Sequence, residues 1–226
     1  SMIFIKKLTA SSSATLSFVD GASDVVLDNT YKEYLFTFKN IHPASDGVDF
    51  MFNMSIDSGS NYNVTKTTTF FQAYHREDDS GAGLSYEASK DLAQSTAYQS
   101  LNEVGNSADD CMVGELHLFQ PSSTTFVKHF ISRTQSVNSA VSKDNYIAGY
   151  CNVTDAIDGL DFKNIRQVHI MDPYWHESRN KQIIGRAVRR GSHKALPKEE
   201  QNVSIFKYIN IFKNKKINKT NKKNKS

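Results

Sequence analysis

Val48-Asp-Phe50-Met-Phe52-Asn-Met54-Ser-Ile56 places an apolar side chain at every even position, with mostly polar ones between. A period of two puts those side chains on one face of a pleated strand, so the stretch reads as a half-buried β-strand. Upstream, Tyr34, Phe36 and Phe38 repeat the pattern within Glu33–Ile41. Downstream, Thr67–His75, Met112–Phe119, Thr125–Arg133 and Asn145–Cys151 are further strand candidates. Turn-forming clusters separate them: Pro43-Ala-Ser-Asp46-Gly47, Asp57-Ser-Gly59-Ser-Asn61, Asp78-Asp79-Ser80-Gly81 and Pro121-Ser-Ser. Only Tyr86–Leu101 allows a helix, and it reads equally well as a long polar loop. Many antiparallel strands and almost no helix predict a mainly β fold, an antiparallel, jelly-roll-like β-sandwich over residues 1–158.

Charge divides the chain. Up to Leu160 there are 10 Lys/Arg against 19 Asp/Glu; from Asp161 onward there are 17 against 5, which together give the net +3 of the 226 residues. A split of that size predicts two parts with different partners or different origins. The 38% hydrophobic and 11% aromatic content supports a real core. No run approaches the roughly 18–20 apolar residues of a membrane span. The opening Ser1-Met2-Ile-Phe-Ile-Lys6-Lys7 has the wrong order for a signal peptide, and Ser1 before Met2 suggests a truncated start. Cys111 and Cys151 read as free thiols of a soluble, non-secreted protein.

The first part carries no catalytic signature. His75-Arg76-Glu77-Asp78-Asp79 collects possible cation ligands, but successive residues of a strand face opposite ways, so a solvated strand end is the better reading. His117 and His129 read as surface or packing residues. No metal site is expected.

The second part changes character. Ile165–Met171 is strand-like and ends at Asp172-Pro173; a helix is predicted from about Glu177 to Arg190, stopped by Gly191. Ile183, Ile184, Ala187 and Val188 form its apolar stripe, while Gln182, Arg186 and Arg189 share another face. Paired guanidiniums at such spacing can stabilise charge on a transferring phosphoryl group. Spacing alone favours a plain basic surface helix.

Two resemblances extend this reading. Leu8-Thr-Ala-Ser-Ser-Ser-Ala-Thr-Leu-Ser-Phe18-Val-Asp20-Gly21, Tyr31–Pro43 and Asn145-Tyr-Ile147-Ala-Gly149-Tyr150 resemble β-rich structural proteins of marine tailed phages, over roughly residues 8–163. That resemblance implies a non-enzymatic virion component of capsid, tail or fibre, with other virion proteins and copies of itself as partners, located in the virion or the host cytoplasm. It also implies a last strand ending in a Leu-Tyr-Gly-like turn, which the sequence lacks, leaving closure of the sandwich in doubt. Gly159-Leu-Asp161-Phe, Gln167–His176 and Gln182-Ile-Ile-Gly185-Arg186-Ala-Val-Arg189 resemble superfamily two helicases of the Swi/Snf-like and large-DNA-virus branch. By that resemblance Gly159 and Asp161 belong to motif V, coupling ATP to nucleic acid. Gln182, Gly185, Arg186 and Arg189 form motif VI, with Arg189 as arginine finger.

The 226 residues contain no Gly-Lys dipeptide of a phosphate loop and no Asp-Glu pair for magnesium. ATP and magnesium are therefore expected only with a complete partner lobe, and the chain is read as no enzyme. Gly159–Lys163 is where the two resemblances overlap, so the chain reads as a chimera: sandwich 1–158, helicase remnant 159–209 and a Lys/Asn tail 210–226. Lys213, Lys215, Lys216, Lys219, Lys222 and Lys223 are predicted to lie in disorder and to bind nucleic acid weakly through phosphates, although AT-rich coding sequence also yields such runs. The expected function is a phage structural sandwich fused to a non-functional helicase remnant; the alternative is a fragment of an ATP-dependent superfamily two helicase.

Overall fold

A computed structural model of the chain describes residues 2–11 and 13–164. They form ten strands: β1 (Thr15–Val19), β2 (Glu33–Ile41), β3 (Val48–Ser55), β4 (Lys66–Arg76), β5 (Ala82–Tyr86), β6 (Gln99–Val104), β7 (Met112–Phe119), β8 (His129–Asn138), β9 (Val141–Cys151) and β10 (Gly159–Lys163). All pair antiparallel, in a four-stranded sheet ordered β1-β10-β3-β6 and a six-stranded sheet ordered β2-β7-β8-β9-β4-β5. The mainly β expectation holds, and no α/β fragment is seen among the described residues. The predicted strand Ile165–Met171, the helix Glu177–Arg190 and the tail lie outside them.

The alternation that marked β3 and β2 buries Phe50, Phe52 and Met54 on one sheet and Tyr34 and Phe38 on the other. The inner faces meet through aromatic rings. Phe38 packs edge-on against Phe50 at 5.1 Å, Phe52 against Phe130 at 5.1 Å, and Phe36 lies 5.8 Å from Phe162. Such edge-to-face pairs suit the ring quadrupole and add to the area buried.

Gly159–Lys163 is not the end of the sandwich but its closing strand. β10 lies between β1 and β3, pairing Phe162 with Leu16 on one side and with Phe52 on the other. The sandwich is closed by β10 without the Leu-Tyr-Gly-like strand that the resemblance implies, and it extends through Lys163 rather than stopping at residue 158. The pentapeptide is too short to show a period by itself, and β1 and β3 are distant partners, so only folding reveals it.

Tyr86–Leu101 is neither helix nor uniform loop. β5 ends at Tyr86 and β6 begins at Gln99. The strands expected at Thr125–Arg133 and Asn145–Cys151 run on into a tight β8–β9 hairpin, whose turn residues Ser139 and Ala140, with φ of 47° and 65°, occupy positions that usually call for Asn or Gly.

Two fully buried lysines tie down the loops. Lys66 Nζ donates to Asn53 Oδ1 (2.7 Å), Ala97 O (2.7 Å) and Val64 O (3.0 Å), while Asn53 Nδ2 donates to Tyr62 O and Thr96 O. One ammonium thereby joins the chain before β4 to the chain before β6. Lys128 Nζ donates to Ser123 O and Asp155 O, linking the loops that flank β8 and follow β9. All but one of these acceptors are backbone carbonyls, so neither ammonium has a bonded carboxylate, and burial pulls the Lys66 pKa down from 10.5 to about 8.

Two outcomes follow. Phe162→Ala, which empties the centre of the ring cluster, should lower unfolding free energy by about 3–5 kcal/mol in chemical denaturation, and a chain ending at residue 158 should not fold. Between pH 8 and 10.5 the unfolded chain keeps a proton on residue 66 that the folded chain has lost, so this group makes stability rise with pH. Measured as wild type minus Lys66→Met, that rise should amount to roughly 3 kcal/mol across the window.

Candidate functional site

The outer side of β10 is where the sequence placed the first helicase-like residues. Asp161 and Gly159 face away from the ring cluster, yet both are buried. Ser17 Oγ donates to Asp161 Oδ1 (2.7 Å) and Tyr98 OH donates to Oδ2 (2.8 Å). Ser17 sits directly opposite Asp161 in the β1 ladder, whereas Tyr98 reaches over from the chain entering β6. Burial, and then the Asp161 carboxylate, push the Tyr98 hydroxyl far above the ordinary phenol range, so it remains a donor. Lys163 Nζ stands 3.7 Å from the centre of the Tyr98 ring, a cation–π contact that covers the pair. A Cβ at Gly159 would stand 3.2 Å from Ser55 Cβ and 3.4 Å from Tyr62 Cε1, so glycine is there for space. Both carboxylate oxygens are engaged, and neither residue is open to a nucleotide.

The outer face of the six-stranded sheet holds a cluster that sequence reading missed. Arg133 forks onto Asp144, Nε at 3.1 Å and Nη2 at 2.7 Å, and its guanidinium lies 5.0 Å over the Tyr146 ring. Tyr146 in turn stacks parallel on Phe71 at 4.8 Å. The column assembles because Arg133, Tyr146 and Phe71 are register partners on β8, β9 and β4. The sequence signal was weak: an outward aromatic on each of two strands, recognisable only once their pairing is known. With both faces of Tyr146 covered, the column is a stacking arrangement in its own right.

His75 and Asp79, 3.3 Å apart, form the solvated strand end expected. His117 is held between Glu33 (2.6 Å) and Glu115 (3.6 Å) on the sheet surface, and His129 leans on Tyr150. Among the described residues no group of three His, Cys, Asp or Glu side chains could hold a metal ion. Cys111 and Cys151 are free; burial pushes the Cys151 thiol up to about 11, which makes it unreactive. No helix among the described residues is long and apolar enough to cross a membrane. Gln182, Gly185, Arg186, Arg189 and the tail lysines lie outside the described residues.

The chain is 53% identical over 57 residues to a protein of Acanthamoeba polyphaga mimivirus named as a candidate ATP-dependent RNA helicase, L538, a match covering 25% of this chain and 13% of that protein. A helicase-like segment is part of this chain. A second mimivirus protein named in the same way, R350, is 41% identical over 80 residues, 34% of this chain and 10% of its own length. The termination factor NPH-I homolog of African swine fever virus is 52% identical over 54 residues, 24% of this chain and 8% of that protein. The chain thus spans about a tenth of the length of the relatives it matches. No family model and no solved structure matches it.

These relatives correct two expectations. The main reading, a phage structural protein of the virion, is overturned: the proteins that share sequence with this chain carry the names of viral helicases and nucleoside triphosphatases. The same names overturn the non-enzymatic reading, since the proteins that share this segment are named as ATP-dependent helicases and a nucleoside triphosphatase. The phage-like strings misled because alternating strands with Ser/Asn/Gly turns describe a β architecture, not an activity.

Asp161→Ala should test the structural role of β10's outer face. It leaves the Ser17 and Tyr98 hydroxyls without their acceptor, and unfolding free energy should drop by about 2 kcal/mol. Nucleotide binding by the full chain, followed by equilibrium dialysis, should be unchanged.

Proposed function

We propose that the chain contributes the arginine-bearing end of a viral ATP-dependent nucleic-acid motor, carried behind a β-sandwich. The observation that carries this reading is the 53% identity over 57 residues to a protein named for ATP-dependent RNA helicase activity. The string Gln182-Ile-Ile-Gly185-Arg186-Ala-Val-Arg189 supports it, since spacings of four and three would put the glutamine and both guanidiniums on one side of a helix there. In this reading Gln182 and Arg186 orient the nucleotide, Gly185 lets the backbone approach it, and Arg189 neutralises charge on the transferring phosphoryl. A guanidinium suits that role because it is always charged and presents a rigid fork.

ATP with magnesium supplies the phosphoryl chemistry when bound. A phosphate loop and an acidic magnesium ligand would come from sequence beyond these 226 residues, since no Gly-Lys dipeptide occurs here. Gly159 and Asp161 do not fit this set: one is fenced by Ser55 and Tyr62, the other is held by two hydroxyls. The eight lysines between Lys207 and Lys225 add phosphate contacts that track nucleic acid without reading its sequence.

Hydrolysis of ATP by the full chain, alone and mixed with the first motor lobe of the mimivirus relative, tests the proposal. Nucleic-acid-stimulated turnover in the mixture should fall roughly 10³-fold in Arg189→Ala. Equal turnover in wild type, Arg186→Ala and Arg189→Ala would sink the reading. A second measurement concerns the tail: log affinity for duplex DNA against log salt should carry a slope of about −0.9 per phosphate contacted. Removing residues 207–226 should flatten it, and a slope indifferent to that deletion would show the lysines make no contact.

A further inference from the structure

β5 forms one margin of the six-stranded sheet, and its free side is unusually well defined. The ladder with β4 pairs Phe71 with Tyr86, Ala73 with Leu84 and His75 with Ala82. Just beyond its ends, Glu87 N donates to Phe70 O and Arg76 N donates to Gly81 O. Hydrogen-bonded pairs alternate along an antiparallel ladder, so Gly83 and Ser85 direct their backbone groups at β4. Ala82, Leu84 and Tyr86 direct theirs outward, and among the described residues nothing bonds to them. Their side chains share the sheet's outer face, with Leu84 72% and Tyr86 55% exposed.

Sheet edges are ordinarily blunted by charge, proline or a bulge. β2, the opposite margin, has Glu33, Lys39 and a register shift between Phe38 and Ile41. β5, Ala82-Gly-Leu-Ser-Tyr86, has no charge, no proline and no shift.

We propose that β5 is the docking edge for a second copy of this chain, the two strands pairing antiparallel across a twofold axis at Leu84. The pattern is self-complementary. Leu84 meets the partner's Leu84, and Tyr86, the largest side chain, meets the partner's Ala82, the smallest on that face; symmetry repeats the match. The free N–H and C=O groups fall into register as well, because residues 82, 84 and 86 all lie in hydrogen-bonding positions toward the open edge. Past the strand ends, Glu87 comes opposite the partner's Gly81. Arg76 lies against Gly81, its Cδ 3.6 Å from where a Cβ would stand, so a carboxylate of one copy approaches a guanidinium of the other at both ends. Two acidic sandwiches thus meet through an uncharged strand flanked by opposite charges. The inference is independent of the helicase-like segment.

Sedimentation velocity of the full chain over a concentration series tests it. A reversible dimer is expected. Leu84→Lys, which sets two ammoniums directly opposite each other, should weaken self-association by about tenfold or more. Its circular dichroism should match the wild type, and so should its melting at concentrations where both are monomeric, since residue 84 is exposed in one copy. Leu84→Cys should form an intermolecular disulfide under mild oxidation, because facing residues of a hydrogen-bonded pair stand about 5.5 Å apart at Cα, within disulfide range. A chain monomeric at every concentration, or a dimer indifferent to Leu84→Lys, would overturn the proposal. So would β5 amides that gain hydrogen-exchange protection only when a different protein is added.

Discussion

Phe162 packs against Phe18, Phe36, Phe38, Phe50 and Phe52 at centroid distances of 5.3–6.3 Å, and each contact requires β10 to lie between β1 and β3. Those rings come from both sheets, so one side chain couples the two layers, and β10 supplies the backbone partners for two neighbours at once. Without it β1 would lose its partner in the sheet and β3 would show an open edge above a wet core. An interior packed to crystal-like density cannot close over a missing phenyl ring, which is why the whole sandwich depends on residues 159–163.

That dependence settles a competition for a short string. Gly-Leu-Asp-Phe-Lys fits a helicase motif by its letters, but its alternation sends Leu160 and Phe162 into the core and Asp161 to the other face. There Ser17 and Tyr98 each donate to one carboxylate oxygen, and the Lys163 ammonium lies over the Tyr98 ring. The carboxylate's bonds tie β10 to β1 and to the chain entering β6. Helicase similarity covers a quarter to a third of the whole, and its 80-residue span is longer than the stretch that follows Asn164, so it overlaps the described residues.

Polar satisfaction runs through the sandwich in the same manner. Lys66 and Lys128 are fully buried; apart from Asn53 on β3, the oxygens they bond belong to loops. Burying an ammonium is costly, and bonds to neutral acceptors offset only part of the cost. What the fold gains is loop geometry: the same bonds hold the chain that carries Tyr98 toward Asp161 and the loop that leads into β10. The cross-sheet seam near β6 works alike, with Thr134 Oγ1 donating to Leu101 O and Ser136 Oγ to Asn102 Oδ1.

The sequence by itself determined the β class and most of the ladder. Period-two runs at Glu33–Ile41, Val48–Ile56 and Met112–Phe119 became β2, β3 and β7 within a residue of the bounds read from them, because burial of one face is written into alternation. The helicase-like letters Gln182, Gly185, Arg186 and Arg189 were legible there too, because they fall within one short run of sequence. Only the tertiary structure decided the rest. β10 and β6 are too short or too polar to show a period, and they are strands because partners more than forty residues away accept them. The Arg133–Tyr146–Phe71 column and the free edge of β5 likewise exist only through register, which no local pattern specifies when both faces of a strand carry apolar groups. Asp161 is the sharpest case: its neighbours in sequence suggested coupling to a nucleotide, and its neighbours in space, Ser17 and Tyr98, make it a structural carboxylate.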